Sequence, residues 1–124
     1  MGDPLEIALV IRRNGAVVAG RTYIAGLGGL MGLMFRRGMD DDEAMIFRLS
    51  GKRTIVHTFF LRFPVDLVFT DSRMRVLEIR ANLPPWRFYL SGTKPSYMLE
   101  LPGGKTAAVG LRVGDELETE ELYS

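Results

Sequence analysis

A chain of 124 residues with 16 basic and 15 acidic side chains, net charge +1, has room for one ordinary hydrophobic core, yet its charge argues for neither DNA nor an anionic membrane as a partner. It contains no cysteine and one histidine, which excludes a disulfide framework, thiol chemistry and a zinc set built from Cys and His. No window approaches the roughly 18 apolar residues of a membrane span, and MGDPLEIALVIRR lacks the basic-then-apolar order of a secretion signal, so a soluble cytoplasmic protein is expected. The expectation is one domain over residues 1–124, with no cofactor and no metal.

In chain order, Leu5–Arg13 and Ala16–Ala25 flank Asn14-Gly15, a dipeptide that tolerates the positive φ angles of a type I′ turn, so the chain should open with a hairpin. Gly26, Gly28, Gly29 and Gly32 then interrupt a Leu- and Met-rich stretch in which one helical turn over Leu30–Phe35 is the most that glycine allows. The acidic run Asp40–Glu43 lacks the spacing of a calcium loop and reads as a solvated lead into a strand around Met45, Phe47 and Leu49. Ser50-Gly51-Lys52 should turn that strand into a second hairpin with the stretch that follows.

That stretch, TIVHTFFLRFPVDLVFTD over Thr54–Asp71, is the most apolar of the chain. Ile55, Phe59, Leu61, Phe63, Val65, Leu67 and Phe69 share one parity, and alternation along a strand would place them on one continuous face, with His57 its one polar member. Pro64 lacks a backbone donor, so the run should be two strand segments joined at a bend, or a bulged edge strand. A turn at Asp71-Ser72 leads to a short strand over Val76–Ile79. Pro84-Pro85 forces irregular backbone ahead of Trp86-Arg87-Phe88-Tyr89. Tyr97, Leu99 and Leu101 alternate with Met98 and Glu100 in a further strand. One helical turn over Thr106–Val109 capped by Gly110, a short strand around Leu117 and an acidic, partly frayed tail close the chain. Many short strands about 8 to 12 residues apart, punctuated by Gly and Pro, predict a mainly β protein: an antiparallel β-sandwich or small barrel with one or two short helices.

Several of these residues form a known pattern. Gly32-Leu33-Met34-Phe35-Arg36, Ala44-Met45-Ile46-Phe47, Pro64-Val65-Asp66, Val68-Phe69-Thr70-Asp71, Leu99-Glu100-Leu101-Pro102-Gly103 and Val113-Gly114-Asp115 together resemble the signature of the family called domain of unknown function 192, from about Gly26 to Leu117. His57-Thr58-Phe59 and Pro85-Trp86 are similar to a branch seen largely in archaea and actinobacteria. Met31 stands where the family usually has arginine, and Ala44 where it has glycine. The resemblance implies a mostly β fold with little helix and brings no activity with it.

Candidate chemistry centres on His57 and Asp66. A lone imidazole among apolar neighbours can be a general base, a ligand contact or a buried group satisfied by a carbonyl. A carboxylate behind a proline in an apolar run must be solvated, paired or hydrogen-bonded, either by tying down a loop or by serving a ligand. Arg36 and Arg87 are its expected partners, since Arg62 lies too far along a straight strand. Pro85-Trp86-Arg87-Phe88-Tyr89 offers either a rigid aromatic platform beside a guanidinium or a lid folded over the core. Gly26-x-Gly28 followed by Met31 is not a dinucleotide fingerprint, and no Gly-x-Ser-x-Gly elbow occurs. The leading expectation is therefore a small β module that binds a small molecule or a protein segment near Arg36, His57, Arg62, Asp66, Trp86 and Arg87. The alternatives are a small enzyme with His57 as acid or base, and a weak RNA-contacting module using Arg80, Arg87 and the aromatics.

Overall fold

Pro64 divides the apolar stretch into two strands that belong to different layers. The computed structural model describes residues 7–24 and 38–121. Its elements in order are β1 (Ile7–Ile11), β2 (Val17–Ala19), β3 (Arg21–Ile24), β4 (Glu43–Arg48), β5 (Ile55–His57), β6 (Val65–Thr70), β7 (Val76–Leu83), β8 (Phe88–Leu90), β9 (Tyr97–Pro102), α1 (Lys105–Val109) and β10 (Leu117–Glu121). They form a three-stranded sheet β10-β1-β2, a five-stranded sheet β3-β4-β9-β6-β7 and a two-stranded ribbon β5-β8.

The five-stranded sheet is the middle layer. On one face Ala44, Ile46, Val68, Leu99 and Leu101 pack with Leu9, Ile11, Val18 and Leu117 of the three-stranded sheet. On the other, Met45, Leu67, Phe69 and Met98 pack with Val56, Leu61 and half-buried Tyr89 from the ribbon and its adjoining turn. All six residues of β6 are consequently buried, and fully burying side chains the size of Leu67 or Phe69 stabilises by about 1.5–3 kcal/mol each.

The mainly β class holds, and the architecture is a sandwich with open sheets rather than a closed barrel. Among the described residues all strand pairings are antiparallel except β3 with β4. The first hairpin forms, but Gly15 alone takes the left-handed conformation (φ 71°) while Asn14 stays in the ordinary region, so the connection is a longer loop instead of a type I′ turn. Asn14 Oδ1 accepts from Ala16 N–H inside it. The strand expected to run on to Ala25 breaks at Gly20, whose N–H donates to Asp42 Oδ1, and β3 crosses to the middle sheet.

Ser50-Gly51-Lys52 does not make a hairpin: β4 lies between β3 and β9, whereas β5 pairs with β8. The continuous apolar face is likewise corrected. Ile55 is exposed, and Phe60 in the left-handed region (φ 67°) breaks the alternation before Pro64 does. The β6–β7 hairpin and the Gly110 cap of α1 are as expected, and Leu117–Glu121 of the acidic tail pairs with β1 as β10. The expected helical turn over Leu30–Phe35 lies outside the described residues.

Candidate functional site

Asp66 points to the face of the middle sheet that packs on the three-stranded sheet, since it shares its parity with Val68. Its carboxylate is fully buried and accepts four hydrogen bonds, from the N–H groups of Asn82, Gly104 and Thr106 at 2.8, 2.9 and 2.8 Å and from Thr106 Oγ1 at 2.7 Å. These bonds join β6 to the end of β7 and the start of α1. The glycine before α1 is pressed into the same joint: a Cβ on Gly103 would lie 2.9 Å from Asn82 Oδ1 and 3.1 Å from Pro64 O. Asp66 is thus the loop-tying carboxylate, and none of its expected arginine partners is needed. Arg62 and Arg87 are exposed and make no ion pair with a described carboxylate, and Arg36 lies outside the described residues.

His57 is on the opposite side of that sheet. It ends β5, is exposed, and accepts a hydrogen bond from Phe59 N–H through Nδ1 at 3.3 Å. The embedding of His57 in the core that its parity suggested does not occur, because β5 turns Val56 inward and Ile55 and His57 outward. His57 and Asp66 are separated by the sheet and share no hydrogen bond, so they form no acid–base pair. Among the described residues no cluster of His, Asp and Glu is arranged to hold a metal, and no helix is long and apolar enough to cross a membrane.

Around His57 the structure assembles an aromatic surface. The β5-β8 register sets Ile55 opposite Leu90, Val56 opposite Tyr89 and His57 opposite Phe88. Alternation sends Val56 and Tyr89 inward, where Tyr89 stacks on Phe69 with centroids 5.9 Å apart, and leaves Ile55, His57, Phe88 and Leu90 on the outer face. Phe59 lies at the centre of the rings, 5.2 Å from His57, 4.7 Å from Phe88 and 5.6 Å from Trp86, while Phe60 meets Trp86 edge-on at 4.9 Å. Ile55 (68%), Phe60 (46%), Trp86 (54%), Phe88 (66%) and Leu90 (48%) are five of the eight large hydrophobic side chains exposed among the described residues, which makes this a contiguous patch and not ordinary scatter. Trp86 therefore belongs to an exposed platform, and the lid expected as its alternative is supplied only by Tyr89.

Buried Thr58 holds the patch together. Its Oγ1 donates to Pro84 O at 2.6 Å and accepts from Arg87 N–H at 3.0 Å, its N–H donates to Arg87 O, and its carbonyl accepts from Trp86 N–H and Leu61 N–H. These bonds fix two loops in which bulky Phe60 (φ 67°) and Trp86 (φ 62°) both adopt the left-handed conformation, a local cost of the order of 1–3 kcal/mol each. At the far end of the ribbon Glu78 accepts from Tyr89 O–H, the N–H groups of Gly92 and Thr93, and Thr93 Oγ1. Burial alone would raise the Glu78 carboxyl, but these donors together hold it below its ordinary value, while burial and the bond to Glu78 push the Tyr89 hydroxyl up to about 12.

Sequence reasoning missed three features here. Thr58 was visible only as part of a motif, and the left-handed Phe60 and Trp86 carry no signal in residue type. Glu100, read only as one of the residues that alternate with Leu99 and Leu101, is buried at the centre of the middle sheet between Met45 and Leu67, and no described residue hydrogen-bonds its carboxyl. Burial raises it to about 7.

The family model DUF192, described as Uncharacterized ACR, matches residues 28–119. The UPF0127 protein of Pyrococcus furiosus is 36% identical over 91 residues, covering 71% of this chain and 75% of that one, and the UPF0127 protein of Thermococcus sibiricus is 29% identical over 117 residues, covering 90% and 74%. Among solved structures, a protein of unknown function from Novosphingobium aromaticivorans superposes with a TM-score of 0.76 at 25% identity, over 93% of this chain and 83% of that one. A structure from Sinorhizobium meliloti gives 0.75 at 24% identity over 94% and 93%, a likeness of fold. With the matched region running from the glycine-rich stretch into β10, the chain belongs to the DUF192 family.

Proposed function

We propose that this protein is a binding module that receives an extended protein segment on the outer face and edge of the β5-β8 ribbon. The observation that carries this reading is the exposed row Ile55, His57, Phe88 and Leu90, continued by Phe59, Phe60 and Trp86, on a ribbon that no other described strand pairs with. Ser91 N–H donates to Thr54 O and Thr58 N–H to Arg87 O, each at 2.9 Å. Bonded and unbonded pairs alternate in antiparallel strands, so Ile55, His57, Phe88 and Leu90 turn their N–H and C=O groups outward, where an added strand can use them. A small-molecule site built on Asp66 is disfavoured, since four internal donors already occupy its carboxylate.

Selection of a displayed peptide library on the purified protein tests the proposal, with the Ile55→Ser/Phe88→Ser variant as counter-target. Both positions face water, so the variant should keep its melting temperature within the range of ordinary surface changes. Enriched peptides should bind the parent, shift the emission of Trp86, and lose at least about tenfold in affinity on the variant, as truncation of aromatic anchors does. Equal binding to both proteins would place recognition elsewhere and refute the reading.

A further inference from the structure

The near-neutral total charge conceals a segregation. Residues 50–65 and 83–96, which build the ribbon and its loops, contain Lys52, Arg53, Arg62, Arg87 and Lys94 and not one Asp or Glu. All five cations are exposed, and none makes an ion pair with a described residue. Acidic side chains lie elsewhere and are largely engaged: Asp40 with Arg21, Asp41 with Lys105, Asp115 with Arg13, Glu116 with Arg12 and Arg75. The carboxylate nearest the ribbon, Glu78, is held by Tyr89, Gly92 and Thr93. Among the described residues, the segments that build the aromatic patch thus carry positive charge without an ion-pair partner, while the carboxylate that touches them, Glu78, is already taken up by hydrogen-bond donors.

We infer that the segment received by the ribbon is acidic, an extended stretch in which Asp or Glu alternates with apolar side chains. This rests on the reading of the ribbon as a strand-accepting surface and adds the partner's chemistry. Alternation matches the site: on a strand added at the edge of the ribbon, side chains of one parity would lie beside Ile55, Phe88 and Leu90 on the outer face, and those of the other would turn to the opposite face, free to meet the guanidinium and ammonium groups of the flanking loops. Arginine suits this task because its planar fork grips a carboxylate with two bonds. Single-stranded nucleic acid fits less well, because the outward-turned backbone groups at Ile55 and His57 serve a peptide ladder and have no counterpart in a base stack.

The test uses the intact chain and its single tryptophan, Trp86, as the reporter. Three capped heptapeptides with the same apolar residues at alternate positions carry Glu, Ser or Lys at the others, and oligouridine and anionic phosphatidylserine vesicles serve as further probes. The Glu peptide should shift Trp86 emission saturably, bind at least about tenfold tighter than the Ser peptide at low salt, and lose most of that advantage at 0.5 M salt; the Lys peptide should give no shift. In the Arg62→Glu/Arg87→Glu variant, with unchanged circular dichroism, the order of Glu and Lys peptides should reverse. Equal affinity for Glu and Ser peptides would overturn the acidic assignment while leaving the ribbon as a strand acceptor. Saturable shifts with oligouridine or vesicles and none with the Glu peptide would overturn it in favour of nucleic acid or lipid. Loss of the Ser-peptide signal in Ile55→Ser/Phe88→Ser is the separate check on the ribbon itself.

Discussion

Replacing Glu100 by Gln should make the protein more stable at neutral and alkaline pH and leave it nearly unchanged near pH 4. The carboxyl lies in the middle strand of the five-stranded sheet, opposite Met45 on one side and Leu67 on the other, with 9% of its surface exposed. Burial lifts it from 4.5 to about 7, so the folded protein holds a proton that the unfolded chain releases. A raised folded-state value means the contribution is fully present below 4.5 and is lost as pH climbs through about 7. At 1.36 kcal/mol per tenfold change in proton affinity, the loss amounts to about 3 kcal/mol. On the same face the row through Glu100 ends in Tyr23 and Arg80, the neighbouring rows contain Glu43 and Glu78, and Tyr89 packs on from the ribbon. Glu78 titrates below its ordinary value and Tyr89 near 12, so both lie outside this window. Urea unfolding of the parent and Glu100→Gln at pH 4, 5, 6, 7 and 8 measures the difference directly, and every group common to both proteins cancels. The gap between them should be small at pH 4 and widen by about 3 kcal/mol by pH 8, or roughly 10 °C in melting temperature for a chain of this size. Parallel stability curves across that range would refute the reasoning, because they would mean that the carboxyl is solvated or paired in the folded protein.

Asp66→Asn replaces two acceptor oxygens by one and sets an amide N–H2 against two of the four donors, so it should cost about 3 kcal/mol by urea unfolding; a loss under about 1 kcal/mol would show that the joint between β6, β7 and α1 does not depend on the charge. Thr58→Val keeps the shape but removes the bonds to Pro84 O and Arg87 N–H, and should cost about 1–3 kcal/mol while moving Trp86 emission toward longer wavelength; unchanged emission would show that Thr58 does not fix the loop. Both substitutions should act on different observables, since Asp66 lies across the sheet from the ribbon: Asp66→Asn on stability alone, and Thr58→Val on stability and peptide affinity together.

The strands were legible where alternation and turn chemistry agreed. The β6–β7 hairpin follows from two β-rich runs around Asp71-Ser72, where Asp71 Oδ1 accepts from the N–H groups of Arg73 and Arg75, and the end of α1 follows from Gly110 at φ 69°. Parity failed in the central stretch because it assumes unbroken extended backbone. Phe60 leaves the extended region, and no rule of residue type announces a phenylalanine with positive φ. Parity carries no information at Glu100, for a different reason: the strand is regular, but both its faces are covered, so alternation no longer separates water from core. Pairing of β5 with β8, some thirty residues apart, is decided by tertiary packing of Val56 and Tyr89 and leaves no local trace.

That pairing explains how an apolar surface can stay exposed and still be rigid. A two-stranded ribbon is marginal by itself, but alternate side chains of this one are anchored below: Val56 and Tyr89 in the core, the Tyr89 hydroxyl on Glu78, and the loop end on Thr58. The outward residues therefore contribute little to folding and are held in place by their inward neighbours. Such preorganisation lowers the ordering cost of association, which falls mainly on the incoming segment. The same logic separates the two candidate residues of the apolar stretch: Asp66 serves the joint that supports the middle sheet, and His57 sits on the surface that this support presents.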